Sequence, residues 1–370
     1  MDTVQKAIGQ HFDYLDLQSK IPKNSKVFIK LNLLMKSSPN SAIITHPAIV
    51  KGVVRNLKEI GIDDITIGDS PGGPFTVGAL KSIYSSAGLI SLAEEENVKL
   101  NYNIGSKTVD TPTNVDGVRT FDIIDAVLEA DFVINICKLK SHGMMTLSCA
   151  VKNMFGIIPG LTKPEYHLRY PDTDDFAGML VDLCQTSPPD VTFVDAVDAM
   201  EGDGPSGGTK RHLGMVLSGY SPYNIDRVVC EIIGLDYEKI PTVKSSIGKG
   251  LCPKSIDDLE IIGDDITFVT DFKLPKSVRS LLFDDKIPGF LKKPFHYIED
   301  AVFKPKPLIE TEKCIGCGKC AESCPAHTIT IANKKASINY RNCIKCYCCH
   351  EMCPVRAIDF KRSFLTKTRG

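Results

Sequence analysis

Cys314-Ile-Gly-Cys317-Gly-Lys-Cys320-Ala-Glu-Ser-Cys324-Pro325 returns 29 residues later as Cys343-Ile-Lys-Cys346-Tyr-Cys348-Cys349-His-Glu-Met-Cys353-Pro354. Both copies read C-x2-C-x2-C-x3-C-P, the spacing of an iron–sulfur run. Zinc knuckles use two separated C-x2-4-C pairs, not four cysteines packed into eleven residues. The two copies therefore imply two [4Fe–4S] clusters and an electron-transfer role. Nine of the 14 cysteines fall between 314 and 353, which speaks against a disulfide framework. Iron ligation needs reduced thiolates, so a reducing compartment, the cytoplasm, is expected.

The 29-residue register extends past the cysteines, matching Ile309 with Ile338 and Ile329 with Ile358. This duplicated unit, over roughly 306–364, resembles the two-cluster bacterial-type ferredoxin domain, a small α+β fold. In that family the fourth cysteine of each run ligates the other cluster. The resemblance implies one cluster on Cys314, Cys317, Cys320 and Cys353, and a second on Cys343, Cys346, Cys349 and Cys324. Cys348 stands where the first copy has Lys319, so it is a surplus thiol. Cys137, Cys149, Cys184, Cys230 and Cys252 are scattered singly in apolar context and read as core residues.

The formal net charge of -1 argues against a nucleic-acid partner. That average hides an asymmetry: residues 306–370 carry twelve Lys/Arg against five Asp/Glu, leaving 32 basic and 40 acidic residues elsewhere. The sign difference suits docking of the small domain onto the large one or onto an acidic redox partner. The first ten residues lack the basic and apolar regions of a signal peptide, and no apolar run reaches the ~20 residues of a membrane span. Neither a leader nor a span is expected. Oligomeric state is not legible.

Residues before 271 alternate apolar strands with amphipathic helices. Strands are expected at Val27–Leu31, Asp64–Gly68, Asp131–Cys137, Val191–Asp195 and Gly214–Ser218. Helices are expected at Pro47–Glu59, Phe75–Ala87, Asp122–Glu129, Met144–Phe155, Phe176–Cys184 and Pro222–Ile233. That rhythm predicts an α/β domain with a mainly parallel sheet and flanking helices. The domain is expected at 1–270 with its core at about 25–240, followed by a proline-punctuated structured connector at 271–305 and the iron–sulfur domain at 306–370. No G-x-G-x-x-G follows the first strand, so a dinucleotide site is unsupported. Gly204-Pro-Ser-Gly-Gly-Thr-Lys210 is followed by a strand rather than a helix and reads as a mobile loop.

Ligands of open α/β sheets bind beyond the carboxyl ends of the strands. Here those ends carry Lys30 and Asn32, Asp69 and Ser70, the trio Lys138, Lys140 and His142, and Asp195. Lys152 and Asn153 follow on a helix, and His167 on a loop. Lysines 30, 138, 140 and 152 form a cationic set suited to a carboxylate, a phosphate or an anionic cofactor. Asp69, Asp195 and Glu201 could orient those lysines, and His142 and His167 could deliver protons. Lys138, Lys140, His142 and Asp195 are the candidate catalytic residues. Lys30, Asn32, Asp69, Ser70, Lys152, Asn153 and His167 are the candidate cofactor-binding residues.

Lys30-Leu-Asn32, Thr45-His-Pro47, Gly68-Asp-Ser70, Lys138-Leu-Lys-Ser-His142, Val151-Lys-Asn-Met-Phe-Gly156 and Asp195-Ala-Val-Asp-Ala-Met-Glu-Gly202 resemble the uncharacterised family numbered three-six-two in the domain-of-unknown-function series. The resemblance spans about 25–240, with Leu31 where that family usually has proline. It implies an iron–sulfur protein and no particular reaction. Three functions stay open: an oxidoreductase acting on an anionic small molecule, a dedicated electron carrier docking a redox partner, and a maturation factor for a metallocofactor.

Overall fold

The computed structural model describes residues 2–113, 115, 117–277 and 304–361. The expected connector therefore lies outside the described residues from 278 to 303.

Strand β1 (Val27–Lys30) is buried throughout. Its even and odd residues serve different layers. Val27 and Ile29 enter a core with Ile8, Phe12, Val50 and Val54, while Phe28 packs with Phe155, Phe176 and Leu180 on the opposite face. The period-2 alternation thus joins helices on both sides of one sheet. Helix Pro47–Glu59 matches its expected limits: Pro47 opens it, the His46 side chain accepts from the Ala48 N–H at 3.1 Å, and Gly61 (φ 86) follows its end.

β1 pairs in parallel with β2 (Ile65–Gly68) on one side and β6 (Phe132–His142) on the other. The seven-stranded sheet continues to β3 (Lys99–Leu100) beyond β2, and through β8 (Val191–Glu201) to antiparallel β9 (Thr209–Gly219) beyond β6. β7 (Thr146–Ser148) pairs antiparallel with the end of β6, and a hairpin of β4 (Ser106–Asp110) and β5 (Thr120–Ile124) lies apart. The sheet is mainly parallel, as expected. Chain order reverses between β1 and β6, a switch point that opens a crevice at the strand ends.

Three expectations fail locally. β6 does not stop at Cys137 but runs eleven residues, every one buried. The expected helix from Met144 is instead a turn, β7, and a short helix Ala150–Asn153. The segment Asp122–Glu129 is likewise strand to Ile124 before its short helix.

In the C-terminal part, β10 (Lys306–Ile309) pairs with β13 (Ile358–Lys361), and β11 (Ile329–Ala332) with β12 (Lys335–Ile338). Ile309 opposes Ile358 and Ile329 opposes Ile338. Under the 29-residue equivalence these two pairs exchange, so the halves interleave about a pseudo-twofold. The helices Lys319–Glu322 and Cys348–Glu351 also correspond. No helix among the described residues is long and apolar enough to cross a membrane.

The second cysteine run is the one turned toward the large domain. Met352 joins the core around β1, Tyr347 joins the opposite core, and the Tyr347 hydroxyl donates to the Pro305 carbonyl at 2.8 Å. The loop after β8, expected to be mobile, packs under this run: the Ser206 hydroxyl donates to the His350 carbonyl at 3.4 Å. A Cβ at Gly207 would stand 2.9 Å from His350 Nε2.

Candidate functional site

The strand ends at the β1/β6 switch point bound a cavity of about 100 Å³. Nine residues singled out in the sequence line it: Lys30, Asn32, Asp69, Ser70, Lys140, His142, Lys152, Asn153 and His167. The far wall comes from the iron–sulfur part: Ser323, Cys348, Glu351 and Met352. Nothing local in the sequence announces that second wall. Lys163 also lines the cavity and was missed.

At the end of β1, Lys30 Nζ lies 2.9 Å from Asp69 Oδ1 and donates to the Leu31 carbonyl at 2.7 Å. Burial holds the Lys30 ammonium below the usual lysine range. Asp69 Oδ2 accepts from the Leu33 N–H at 2.7 Å, which fixes the crossing of the chain there. Gly156 explains the glycine in its motif: a Cβ would collide with Lys30 Nζ and Asp69 Oδ1. Lys163 Nζ is ringed by the Ser70 carbonyl and hydroxyl and the Ile158 carbonyl, at 2.8, 3.1 and 2.6 Å. Burial pushes its pKa down to about 7.

A chain of amides crosses beneath the cavity. Lys140 Nζ donates to Asn32 Oδ1, Asn32 Nδ2 to Asn153 Oδ1, and Asn153 Nδ2 to Asn135 Oδ1, at 2.8, 2.9 and 2.6 Å. Lys140 also donates to the Ile43 carbonyl at 2.8 Å. Two described acceptors therefore serve its three N–H bonds. Burial, reinforced by Lys152, lowers Lys140 to about 7. Lys152 Nζ stands 4.8 Å over the Phe155 ring and has no ion-pair partner among the described residues. The short helix bearing Lys152 and Asn153 is anchored from behind, where the buried Asp226 carboxylate accepts from the Ala150 and Val151 N–H groups at 2.7 and 3.1 Å. Burial raises Asp226 to about 6.

His142 Nδ1 accepts from the Met144 and Met145 N–H groups at 3.1 and 3.2 Å, so the proton sits on Nε2. That atom lies 3.2 Å from Glu351 Oε1. Burial drives the His142 pKa well down, and the two N–H groups aimed at Nδ1 disfavour a second proton. His167 is stacked 4.2 Å on Phe176, and burial lowers it to about 3. Both shifts favour a neutral imidazole that acts as a hydrogen-bonding group. Of the buried polar atoms of the wall, His167 Nδ1 lacks a hydrogen-bond partner among the described residues, whereas Asp69 Oδ1 meets Lys30 and Glu351 Oε1 meets His142. Such an atom is costly unless something in the cavity satisfies it.

Lys138 and Asp195, grouped with the catalytic candidates, stand apart from the cavity. Their side chains form a buried ion pair at 2.9 Å, and Asp195 Oδ2 also accepts from the His46 N–H at 2.8 Å. This pair pins the 45–46 segment. Glu201 is likewise elsewhere, with Oε2 accepting from the Lys273 N–H at 3.2 Å.

The cysteines surround two hollows. Cys314, Cys317, Cys320 and Cys353 line one, and Cys324, Cys343, Cys346 and Cys349 the other. Backbone N–H groups of Ala336, Thr328 and Ala357 point at the sulfurs of Cys314, Cys324 and Cys353, at 3.4, 3.4 and 3.2 Å. N–H donors of this kind favour thiolate, so four cysteines about each hollow fit an iron–sulfur group. Cys348 lines the large cavity, not the hollows.

A family described as a domain of unknown function, DUF362, matches residues 27–231, and a 4Fe-4S dicluster domain matches residues 306–354. The second match makes the C-terminal part an iron–sulfur electron-transfer unit. The thylakoid-associated protein sll1697 of Synechocystis sp. is 29% identical over 289 residues, covering 75% of this chain and 87% of that protein. The lactate racemase apoprotein from Thermoanaerobacterium thermosaccharolyticum is similar at a TM-score of 0.35 and 13% identity, over 54% of this chain and 46% of that one. The chain thus spans about half the length of that solved structure.

Proposed function

The chain belongs to the DUF362 family with an added 4Fe-4S dicluster domain, and from that premise we propose an oxidoreductase that exchanges electrons with an anionic small molecule held in the strand-end cavity. The observation that carries this reading is the shared wall: Lys140, His142 and Lys152 face Cys348 and Glu351 across one cavity. Cys314, Cys317, Cys320 and Cys353 would hold one [4Fe–4S] cluster, and Cys343, Cys346, Cys349 and Cys324 another. Bound there, the clusters supply one-electron transfer at low cost in rearrangement.

The remaining chemistry belongs to side chains. Lys140 and Lys152 hold the anion with N–H bonds that the protein leaves unused. Lys140, lowered to about 7, carries a proton that it can release near neutral pH, the range in which a general acid works best. His142 holds the Glu351 carboxylate at the wall through its Nε2, and neutral His167 offers a hydrogen bond without adding charge. Lys30, Asp69, Asn32 and Asn153 position these groups. Cys317 and Ile315 of the first run are exposed, which supports an electron-carrying protein as the external partner. Thiolate ligation favours a reducing compartment such as the cytoplasm.

Anaerobic purification followed by mass spectrometry of released small molecules tests this reading. Wild type is expected to release an anion that the Lys140→Met/Lys152→Met double variant lacks. An empty wild-type cavity, with cluster reoxidation unaltered in the double variant, would sink it.

A further inference from the structure

Resting on that assignment of the cavity, we infer that its ligand is a small organic acid of about seven to ten non-hydrogen atoms, its carboxylate held by Lys140 and Lys152 and its apolar body against Leu34, Phe155 and Met352. Size comes first. One water-sized atom occupies on the order of 10–15 Å³ of such a volume, so a cavity of about 100 Å³ has room for about seven to ten, against the five non-hydrogen atoms of inorganic phosphate.

Charge comes next. Four lysines line the cavity against two carboxylates, Asp69 and Glu351. Lys30 is used by Asp69, and Lys163 by three carbonyls and a hydroxyl. Lys140 retains one N–H bond without a described acceptor, and Lys152 has only an aromatic face. Two ammonium groups with open donors match one carboxylate.

One part of the wall is apolar. A Cβ at Gly72 would stand 2.7 Å from Met352 Sδ and 3.2 Å from the Leu34 carbonyl, so these three meet on the wall. Phe155 adds a buried ring. Methylene groups gain free energy against such a surface and phosphate oxygens do not.

Calorimetric titration of the anaerobic, cluster-loaded full chain with hexanoate, acetate, inorganic phosphate and hexan-1-ol decides the matter. Hexanoate is expected to bind at least tenfold tighter than the other three. Lys152→Met should weaken hexanoate at least tenfold. Leu34 has φ 30, a conformation that asparagine adopts readily, so Leu34→Asn keeps the backbone while wetting the wall. That variant should lose hexanoate affinity several-fold and leave acetate unchanged. Phosphate or acetate binding as tightly as hexanoate overturns the inference while the anion assignment stands. Hexan-1-ol matching hexanoate overturns the carboxylate. Failure of all three anions to bind overturns the anion assignment itself.

Discussion

His142 Nε2 lies 3.2 Å from Glu351 Oε1, joining the end of a central sheet strand to the short helix of the second cysteine run. The imidazole is held by the Met144 and Met145 N–H groups on its other nitrogen. His142→Ala would leave both donors buried without an acceptor, at a cost of about 2–3 kcal/mol. Glu351→Gln keeps the shape of the contact and should change stability by less than ~1 kcal/mol. Denaturant unfolding of the loaded chain checks both. Equal losses would show that Nδ1 is not the atom holding the ring.

Gly156→Ala is expected to be among the most damaging single-methyl changes in the chain. Its Cβ would part Lys30 from Asp69, and breaking a buried pair costs about 3–5 kcal/mol. A melting temperature within a degree or two of wild type would refute the contact.

Anion affinity should weaken as pH rises. Burial, with Lys152, Glu351, Lys138 and Asp69 around it, leaves Lys140 charged below about 7 and neutral above it. A bound anion favours the charged form, so its dissociation constant should climb by up to tenfold per pH unit above about 7. The variant Lys140→Met should bind more weakly at pH 6 and show a flatter profile. A profile as steep in the variant would assign the proton elsewhere.

Asp226 has the opposite sense from a surface carboxylate. Its folded pKa of about 6 lies above the ordinary aspartate value of 3.8, because burial disfavours the charge, so the stability it contributes is full below 3.8 and lost as pH rises through 6. That rise corresponds to ~3 kcal/mol. Asp226→Asn removes that term, so its stability relative to wild type should improve between pH 4 and 6. A pH-independent difference would contradict the burial effect.

Cys353→Ala should damage the cluster of Cys314, Cys317 and Cys320, and spare that of Cys343, Cys346 and Cys349. Cys348→Ser should leave the iron content unchanged. Paramagnetic resonance of the reduced protein resolves the two cases. Damage confined to the neighbours of Cys353 in sequence would contradict the crossed arrangement, which the cysteines of the two hollows support.

The parallel sheet was legible because β1, β2 and the start of β6 are apolar runs separated by helical patterns. The end of β6 was not. Lys138, Lys140 and His142 interrupt the apolar run, yet they are buried because Asp195, Asn32 and the Met144 and Met145 amides satisfy them. Polar residues at strand ends did point to the cavity, since Lys30, Asp69 and Lys140 all reach it. Lys138 and Asp195 carried the same signal and spend it on each other. Cys348, Glu351 and Met352 had no local signal, because their role comes from docking against residues about two to three hundred positions earlier.

Tyr347 takes the place that Gly318 holds in the first copy, both in left-handed backbone, at φ 66 and 82. The second half gave up the easy residue for a buried anchor onto the large domain. A cavity walled in this way has no complete form while the C-terminal half is unfolded. Small metal-bound domains commonly fold only when loaded, so on the function proposed above ligand capture would follow cluster loading. Chains made without iron would then be silent, not chains that bind a substrate unproductively.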